Sequence, residues 1–411
     1  MRYLYELGIV FFRLVLFAVS PFNSKAALWI KGRKNILSQI SKALEGKNEE
    51  KRVWIHVASL GEFEQGRPVI EAIKKYYPEY KIVLTFFSPS GYEIRKNYEQ
   101  ADYVFYLPED TAKKAKKFIE QVRPQLSVFI KYEYWYNYLT LLKNNNIPAY
   151  MVSAIFRENH IFFKWYGVWY RKMLYKIEHF FVQNENSKRL LNKIGIKNVT
   201  ISGDTRFDRV VQIAENAPKI PIIEKFKDNS YLLVAGSTWK PDEDIIIDYI
   251  NNNETGHWKF IIAPHEVHES NIKRIEQSLK KATVKYSDAE NTELKDKSVL
   301  IINNVGMLSA IYQYGTIAYI GGGFNSGIHN VLEPATFGLP VIFGTEYKKF
   351  QEAQDLVRLG GAFSIKNTKE FTEIMKQLIT NKLIKEKGGV CKDYIEQKKG
   401  ATAKIIHQIF N

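Results

Sequence analysis

The residues from Gly321 to Gly344, GGGFNSGIHNVLEPATFGLPVIFG, combine backbone freedom, a helix start and a carboxylate within a short span. The pattern predicts a buried strand, Ile317 to Ile320, then a glycine-rich loop, a helix opening near His329 and Asn330, and a second strand, Pro340 to Phe343. Glycines let backbone N–H groups come close to a ligand, and the free N–H groups of a first helical turn favour a phosphate. Glu333 falls in that turn, where a carboxylate can accept from vicinal hydroxyls such as those of a ribose. A phosphate cradle beside a carboxylate points to a nucleotide. A tight strand-to-helix turn with a capping asparagine has the same residue pattern, and the loop alone does not choose between them.

A second candidate lies at the exit of the first strand, in HVASLGEFEQGRPVIEAI from His56 to Ile73. Ala58-Ser59-Leu60-Gly61 makes a small flexible loop, and Glu62 opens a helix. The positive helix end and its N–H groups are expected to lower the Glu62 pKa and keep it ionised. An ionised carboxylate there suits a base or a hydrogen-bond acceptor rather than a general acid. A carboxylate that merely complements the helix dipole would occupy the same position.

Both candidates need a scaffold that delivers loops from strand ends. From Val53 onward, short apolar, β-branched or aromatic runs alternate with charged amphipathic stretches such as Thr111 to Gln121. Expected strands are Val53–Val57, Ile82–Phe87, Tyr103–Tyr106, Leu126–Ile130, Ala149–Val152, Phe180–Gln183 and Val199–Ser202. After a polar, proline-containing interruption from Gln212 to Asp228 the rhythm resumes. It continues through Tyr231–Ala235, Phe260–Ala263, Val284–Tyr286, Val299–Ile302, Ile317–Ile320 and Pro340–Phe343. Such runs suit parallel sheets covered on both faces. The expected fold class is α/β: two facing doubly wound, Rossmann-like parallel-sheet domains with a cleft between them and ligands beyond the strands' carboxyl ends. The expected division is 1–35 as a membrane-associating segment, 36–210 and 211–390 as the two domains, and 391–411 as a terminal helix crossing back to the first.

Composition agrees. The 411 residues are too many for one core, and 45% hydrophobic content excludes disorder or a fibrous repeat. The single cysteine, Cys391, excludes an internal disulfide and a cysteine-cluster metal site, and the eight histidines show no ligand spacing. No metal site is expected. The formal charge of +15 calls for an anionic partner, but the basic residues form no nucleic-acid module, so no nucleic acid is expected. Residues 8 to 22, GIVFFRLVLFAVSPF, are too short and too interrupted by Arg13 to span a bilayer comfortably. With Arg2 before and Lys25, Lys31, Arg33 and Lys34 after, they predict a helix lying in an anionic membrane interface; a helix packed into the first domain is the alternative.

Taken in order, these motifs resemble the 3-deoxy-D-manno-octulosonic acid (Kdo) transferase family. The series runs nearly end to end: KGRKN, HVASLGE, TFFSPSG from Thr85, LPEDT from Leu107, KYEYWYN from Lys131, QNENSKRLL, GDTRFD from Gly203, GSTW from Gly236, APHE from Ala263, NNVGML from Asn303 and GIHNVLEPA. Any one is loose, whereas the ordered series is specific. The resemblance implies the GT-B architecture and an inverting glycosyltransferase. It implies CMP-Kdo as donor, no required cofactor, and a lipid A precursor (lipid IVA) as acceptor at the cytoplasmic face of the inner membrane, in lipopolysaccharide biosynthesis. Carried over by residue, Glu62 would be the general base, Glu133 would support the transition state, and Arg206 would stabilise the leaving group. The CMP site would draw on His265, Glu266, Gly306, Met307, Leu308, Gly327, His329, Asn330, Leu332 and Glu333.

Some positions depart from the family pattern. Lys131 stands where an acid is usual and Tyr136 where proline is. Pro264-His265-Glu266 replaces P-R-H, and Met307 replaces a glutamate, so a contact there must come from backbone. Another nucleotide-sugar transferase or an epimerase would share the fold and the Glu333 loop. A basic membrane-bound scaffold is the non-enzymatic alternative. A dehydrogenase is excluded because HVASLGEFEQG does not supply G-x-G-x-x-G after the first strand.

Overall fold

The computed structural model describes residues 1–254, 256–325, 327–380 and 382–411; Ser326, within the glycine-rich loop, lies outside them. The chain forms two compact units, Met1–Arg209 with Lys399–Asn411, and Val210–Lys398.

In the first unit seven strands make one parallel sheet: β1 Lys51–Val57, β2 Tyr80–Phe86, β3 Tyr103–Tyr106, β4 Leu126–Ile130, β5 Ala149–Ala154, β6 His179–Val182 and β7 Val199–Ile201. Their order is β3-β2-β1-β4-β5-β6-β7. The inner strands read as unbroken apolar runs because helices cover both faces; β4 is buried at every position. One core, on the face bearing Trp54, Phe118, Phe129 and Tyr138, gathers the helix Ala112–Val122 and the helix Tyr136–Asn144. The other gathers Val53, Ile55, Phe63, Ile70 and Val128 with Ile405 and Ile406 of the last helix, Ala401–Phe410. That helix also stacks Phe410 on Tyr77 at 4.1 Å. The chain re-enters the first unit at Lys399, later than 391, because the helix Ile384–Lys398 buries Cys391, Tyr394 and Ile395 within the second unit.

The second unit repeats the plan with β8 Tyr231–Thr238, β9 Trp258–Pro264, β10 Thr283–Lys285, β11 Val299–Ile301, β12 Ile317–Ile320, β13 Val341–Phe343 and β14 Ala362–Ser364. The order is β10-β11-β9-β8-β12-β13-β14, again all parallel. The architecture is the expected α/β, doubly wound type. Three local expectations change. β14 was not read from the sequence. The polar interruption after Gln212 is largely helical, Thr205–Glu215 followed by Pro221–Lys227 with proline at its first position. The helix expected at His329 begins at Leu332 and runs only to Thr336.

In each sheet the strand order reverses once near the middle, between β1 and β4 and between β8 and β12. Successive crossovers leave that point in opposite directions, which opens a crevice beyond the carboxyl ends of the two strands. Both candidate sites lie at these points.

Candidate active site

In the first unit, β1 runs out at Val57 and the helix Leu60–Tyr76 starts after Ser59. Ser59-Leu60-Gly61-Glu62 forms a capping box: Glu62 Oε2 accepts from the Ser59 N–H at 3.0 Å and its hydroxyl at 3.1 Å. The other carboxylate oxygen, Oε1, accepts no protein hydrogen bond among the described residues. The expectation of a lowered Glu62 pKa is corrected. Burial pushes the carboxyl up first, and the negative charge of Glu133 adds to it; the Ser59 hydrogen bonds and Lys131 oppose this without prevailing. The helix end was visible in the sequence, but the desolvation and the second acid were not.

Glu133 arrives from the neighbouring strand. β4 ends at Ile130, and Lys131 takes a left-handed backbone with φ 70° that turns the chain sharply. Glu133 is buried, and its Oε2 lies 2.9 Å from His56 Nε2 and accepts from Trp135 Nε1 at 2.8 Å. His56 is fully buried at the end of β1, with Nδ1 2.9 Å from the Thr85 hydroxyl on β2. Three adjacent strands therefore set the orientation of one carboxylate. His56 appeared in the sequence only as part of a motif; an isolated polar residue in an apolar strand was the available signal. The structure thus brings Glu62 and Glu133 into electrostatic contact at the switch point. Arg206 is elsewhere in the unit's bonding: its Nε donates to Asp204 Oδ2 at 2.9 Å, and its backbone N–H donates to Oδ1 at 2.9 Å.

In the second unit the loop after β12 is threaded through backbone contacts. A Cβ at Gly321 would stand 2.2 Å from the Ser237 carbonyl oxygen, so only glycine lets the β8 and β12 exits approach. Gly322 has φ 90° and donates its N–H to Asp242 Oδ2 at 2.9 Å. Asp242 also accepts from the Trp239 N–H at 2.9 Å and the Tyr319 hydroxyl at 2.8 Å. This buried carboxylate, raised in pKa by its burial, ties the β8 exit to the glycine loop.

Three rings stack across that exit. Trp239 lies 4.5 Å from His265, and His265 lies 4.6 Å from His329, both nearly parallel. Burial and the neighbouring His265 lower the His329 pKa, which favours the neutral ring. Trp239 Nε1 donates only, and it reaches His329 Nε2 at 3.2 Å. The acceptor nitrogen is therefore Nε2, and the ring proton sits on Nδ1 as a donor. Trp239 belongs to the GSTW motif, whose local pattern carries no sign that the ring stacks on His265.

The other predicted residues of this unit fall in two groups. Asn330 is not the helix cap, a place Val331 takes; its Oδ1 closes a turn by accepting from the Leu332 N–H at 3.0 Å, and its Nδ2 donates to Glu333 Oε1 at 3.0 Å. Glu333 Oε2 accepts from the Ser309 hydroxyl at 2.7 Å. Ser309 sits on the helix Leu308–Ile311, which opens after Gly306 (φ 96°) and Met307, so the two loops meet at Glu333. By contrast the Leu332 side chain is fully buried in the core, Glu266 is exposed past β9, and Gly327 (φ 129°) shapes the loop.

Two doubly wound parallel sheets, each with polar groups gathered at its switch point, make a fold of the GT-B type. The chain is similar in fold to UDP-GlcNAc 2-epimerase from Neisseria meningitidis, with a TM-score of 0.60 at 16% identity over 87% of this chain and 99% of that one. Within that class, residues 33–209 match the 3-deoxy-D-manno-octulosonic-acid transferase (kdotransferase) family. The chain is 28% identical to 3-deoxy-D-manno-octulosonic acid transferase of Aquifex aeolicus, over 82% of this chain and 88% of that protein. It is 27% identical to a bifunctional glycosyltransferase/methyltransferase of Fusobacterium nucleatum over 84% of its length, spanning 56% of that protein. In this matched region, and in its relatives over most of its length, the chain is similar to the Kdo transferases, a family of glycosyltransferases.

Proposed function

We propose that the protein transfers Kdo from CMP-Kdo to a lipid A precursor, with inversion at the anomeric carbon and Glu62 as general base. The observation that carries this reading is the pairing of Glu62 and Glu133 at the β1/β4 switch point. Glu62, with Oε1 open, takes the proton of the acceptor sugar hydroxyl as that oxygen attacks the anomeric carbon; the carbon–oxygen bond to the CMP phosphate breaks. A carboxylate whose pKa burial has raised is a stronger base than an ordinary one, which suits this step. Glu133, oriented by His56 and Trp135, supplies negative charge against the positive charge that develops on the sugar.

The donor side falls to the second unit. Glu333 accepts from the ribose hydroxyls of CMP, and the His329 Nδ1–H, with His265 and the loop N–H groups, meets the phosphate. Transfer asks for no metal or other cofactor in this scheme. Arg206, ion-paired with Asp204 at 2.8 Å, is kept as the candidate its motif implies for stabilising the leaving group.

The acceptor's lipid places the enzyme at the cytoplasmic face of the inner membrane. The amino-terminal helix Arg2–Val19 supports this, with Tyr3, Leu4, Leu7, Phe11, Leu14 and Phe17 all exposed. Among the described residues no helix is long and apolar enough to cross a membrane. An amphipathic helix with basic flanks binds an anionic interface without spanning it. Mass spectrometry of a lipid A precursor incubated with enzyme and CMP-Kdo tests the function: a mass increase by one or more Kdo units is expected, and an unchanged acceptor with intact CMP binding would refute it.

A further inference from the structure

The helix Arg2–Val19 is fastened to the loop that carries Glu133 by two separate routes. The polar route starts at Tyr5, whose hydroxyl donates to Asp110 Oδ2 at 2.6 Å. Asp110 is buried and also accepts from the N–H groups of Asn137 and Tyr138, each at 3.0 Å, in the first turn of the helix Tyr136–Asn144. The Asn137 side chain returns a bond to the Asp110 carbonyl at 2.6 Å. The Tyr136 N–H points to the Tyr5 hydroxyl oxygen at 3.4 Å. The apolar route starts at Phe12, whose ring lies 6.2 Å from Phe87; Phe87 lies 5.1 Å from Trp135, which donates to Glu133. Both routes end within a few residues of Glu133.

The two attachment points are seven residues apart, two helical turns, and so share one face. Tyr3, Leu7, Leu14 and Phe17 are each at least 60% exposed and are left for another surface. A tether needs no such second face. A carboxylate buried with three donors is also an expensive arrangement to build for anchorage alone: burial already raises the Asp110 pKa to about 6, and the Tyr5 hydrogen bond is the first of the interactions that oppose this.

We propose that Tyr5 is a positioning residue for the transfer reaction. Through Asp110 it fixes the first turn after Tyr136, and thereby holds Glu133 in place beside Glu62. The proposal rests on the reading of Glu62 and Glu133 as the reacting site. It assigns the helix a part in turnover that is separate from membrane attachment. Without the hydroxyl, Asp110 loses one of its three donors, and the turn that positions Trp135 and Glu133 loosens. A displacement of about an ångström at a reacting group costs on the order of a hundredfold in rate.

The test uses the full chain with detergent-dispersed acceptor and saturating CMP-Kdo. Active enzyme is counted by CMP titration so that partial unfolding does not pass for lost turnover. Tyr5→Phe is expected to lower kcat roughly ten- to a hundredfold while acceptor KM and partitioning onto anionic vesicles stay as in the parent. Phe17→Ser, on the exposed stripe, is expected to reduce partitioning with kcat in detergent unchanged. An unchanged kcat for Tyr5→Phe, or a loss confined to partitioning or acceptor KM, would overturn the proposal and leave the helix an anchor. Should Tyr5→Phe not fold, Phe12→Leu loosens the second route and carries the same expectation with a smaller fall. Glu133→Gln is measured alongside: full turnover there refutes the site itself, whereas a defect there with normal Tyr5→Phe refutes only the role given to Tyr5.

Discussion

Replacing Glu62 by glutamine separates its two duties. The carboxylate closes a capping box on Ser59, and it is the proposed base. Glutamine retains an oxygen that reaches back to the Ser59 N–H, and capping boxes accept Glu or Gln, so the helix Leu60–Tyr76 keeps its start at a cost under about 1 kcal/mol. The base is lost entirely. Turnover is expected to fall by about 10²–10⁴-fold, roughly 3–5 kcal/mol of barrier at 1.36 kcal/mol per tenfold. CMP affinity, measured by calorimetry, should not move. The pH profile adds a second check. Because burial and Glu133 hold the Glu62 carboxyl above its usual range, kcat/KM should rise with pH along a limb displaced upward from an ordinary carboxylate and level off above it. Glu133→Gln removes a negative neighbour and should shift that limb to lower pH; Lys131→Met removes a positive one and should shift it higher. If Glu62→Gln keeps turnover within about tenfold of the parent, below the range general-base catalysis supplies, Glu62 is not the base and the reading of the switch point fails.

Other consequences can be measured directly. Glu333→Gln should weaken CMP binding by roughly 1.5–3 kcal/mol, the worth of hydrogen bonds to a charged acceptor, with no change in the protein's melting temperature beyond a few degrees; unchanged CMP affinity would remove Glu333 from the site. Asp242→Ala leaves the Trp239 N–H, the Gly322 N–H and the Tyr319 hydroxyl without their acceptor and should cost about 3–5 kcal/mol by denaturant titration. Since the Asp242 pKa is raised on folding, its contribution is complete below the unfolded-state value and is lost as pH rises through the folded one, so the deficit should narrow with pH across that window. Deleting residues 1 to 22 should release the protein from anionic vesicles in a sedimentation assay; equal partitioning of the truncated chain would show that the exposed helix is not the membrane contact.

Local pattern determined much of this protein. Thirteen of the fourteen strands among the described residues announced themselves as apolar runs, because a strand covered on both faces is apolar along most of its length. β14 escaped since Ala362–Ser364 reads AFS, with one large apolar residue and only its first position buried. The ordered motifs, Ser59–Glu62 and the Asn330–Glu333 turn among them, located the loops, since turns and caps depend on neighbours in the chain. Tertiary structure alone decided what those loops do together. His56 meets Glu133 across 77 positions, and Trp239 meets His329 across 90, through a strand order that the sequence does not spell out. The sign of the Glu62 shift belongs to the same category: a helix end is a local feature that lowers a carboxyl's pKa, whereas desolvation and a facing acid exist only once distant strands are side by side. The amino-terminal helix shows the division most plainly. Its apolar residues were legible as a surface for lipid, but its second face, at Tyr5 and Phe12, acquires meaning only where folding brings Asp110 and Phe87 against it.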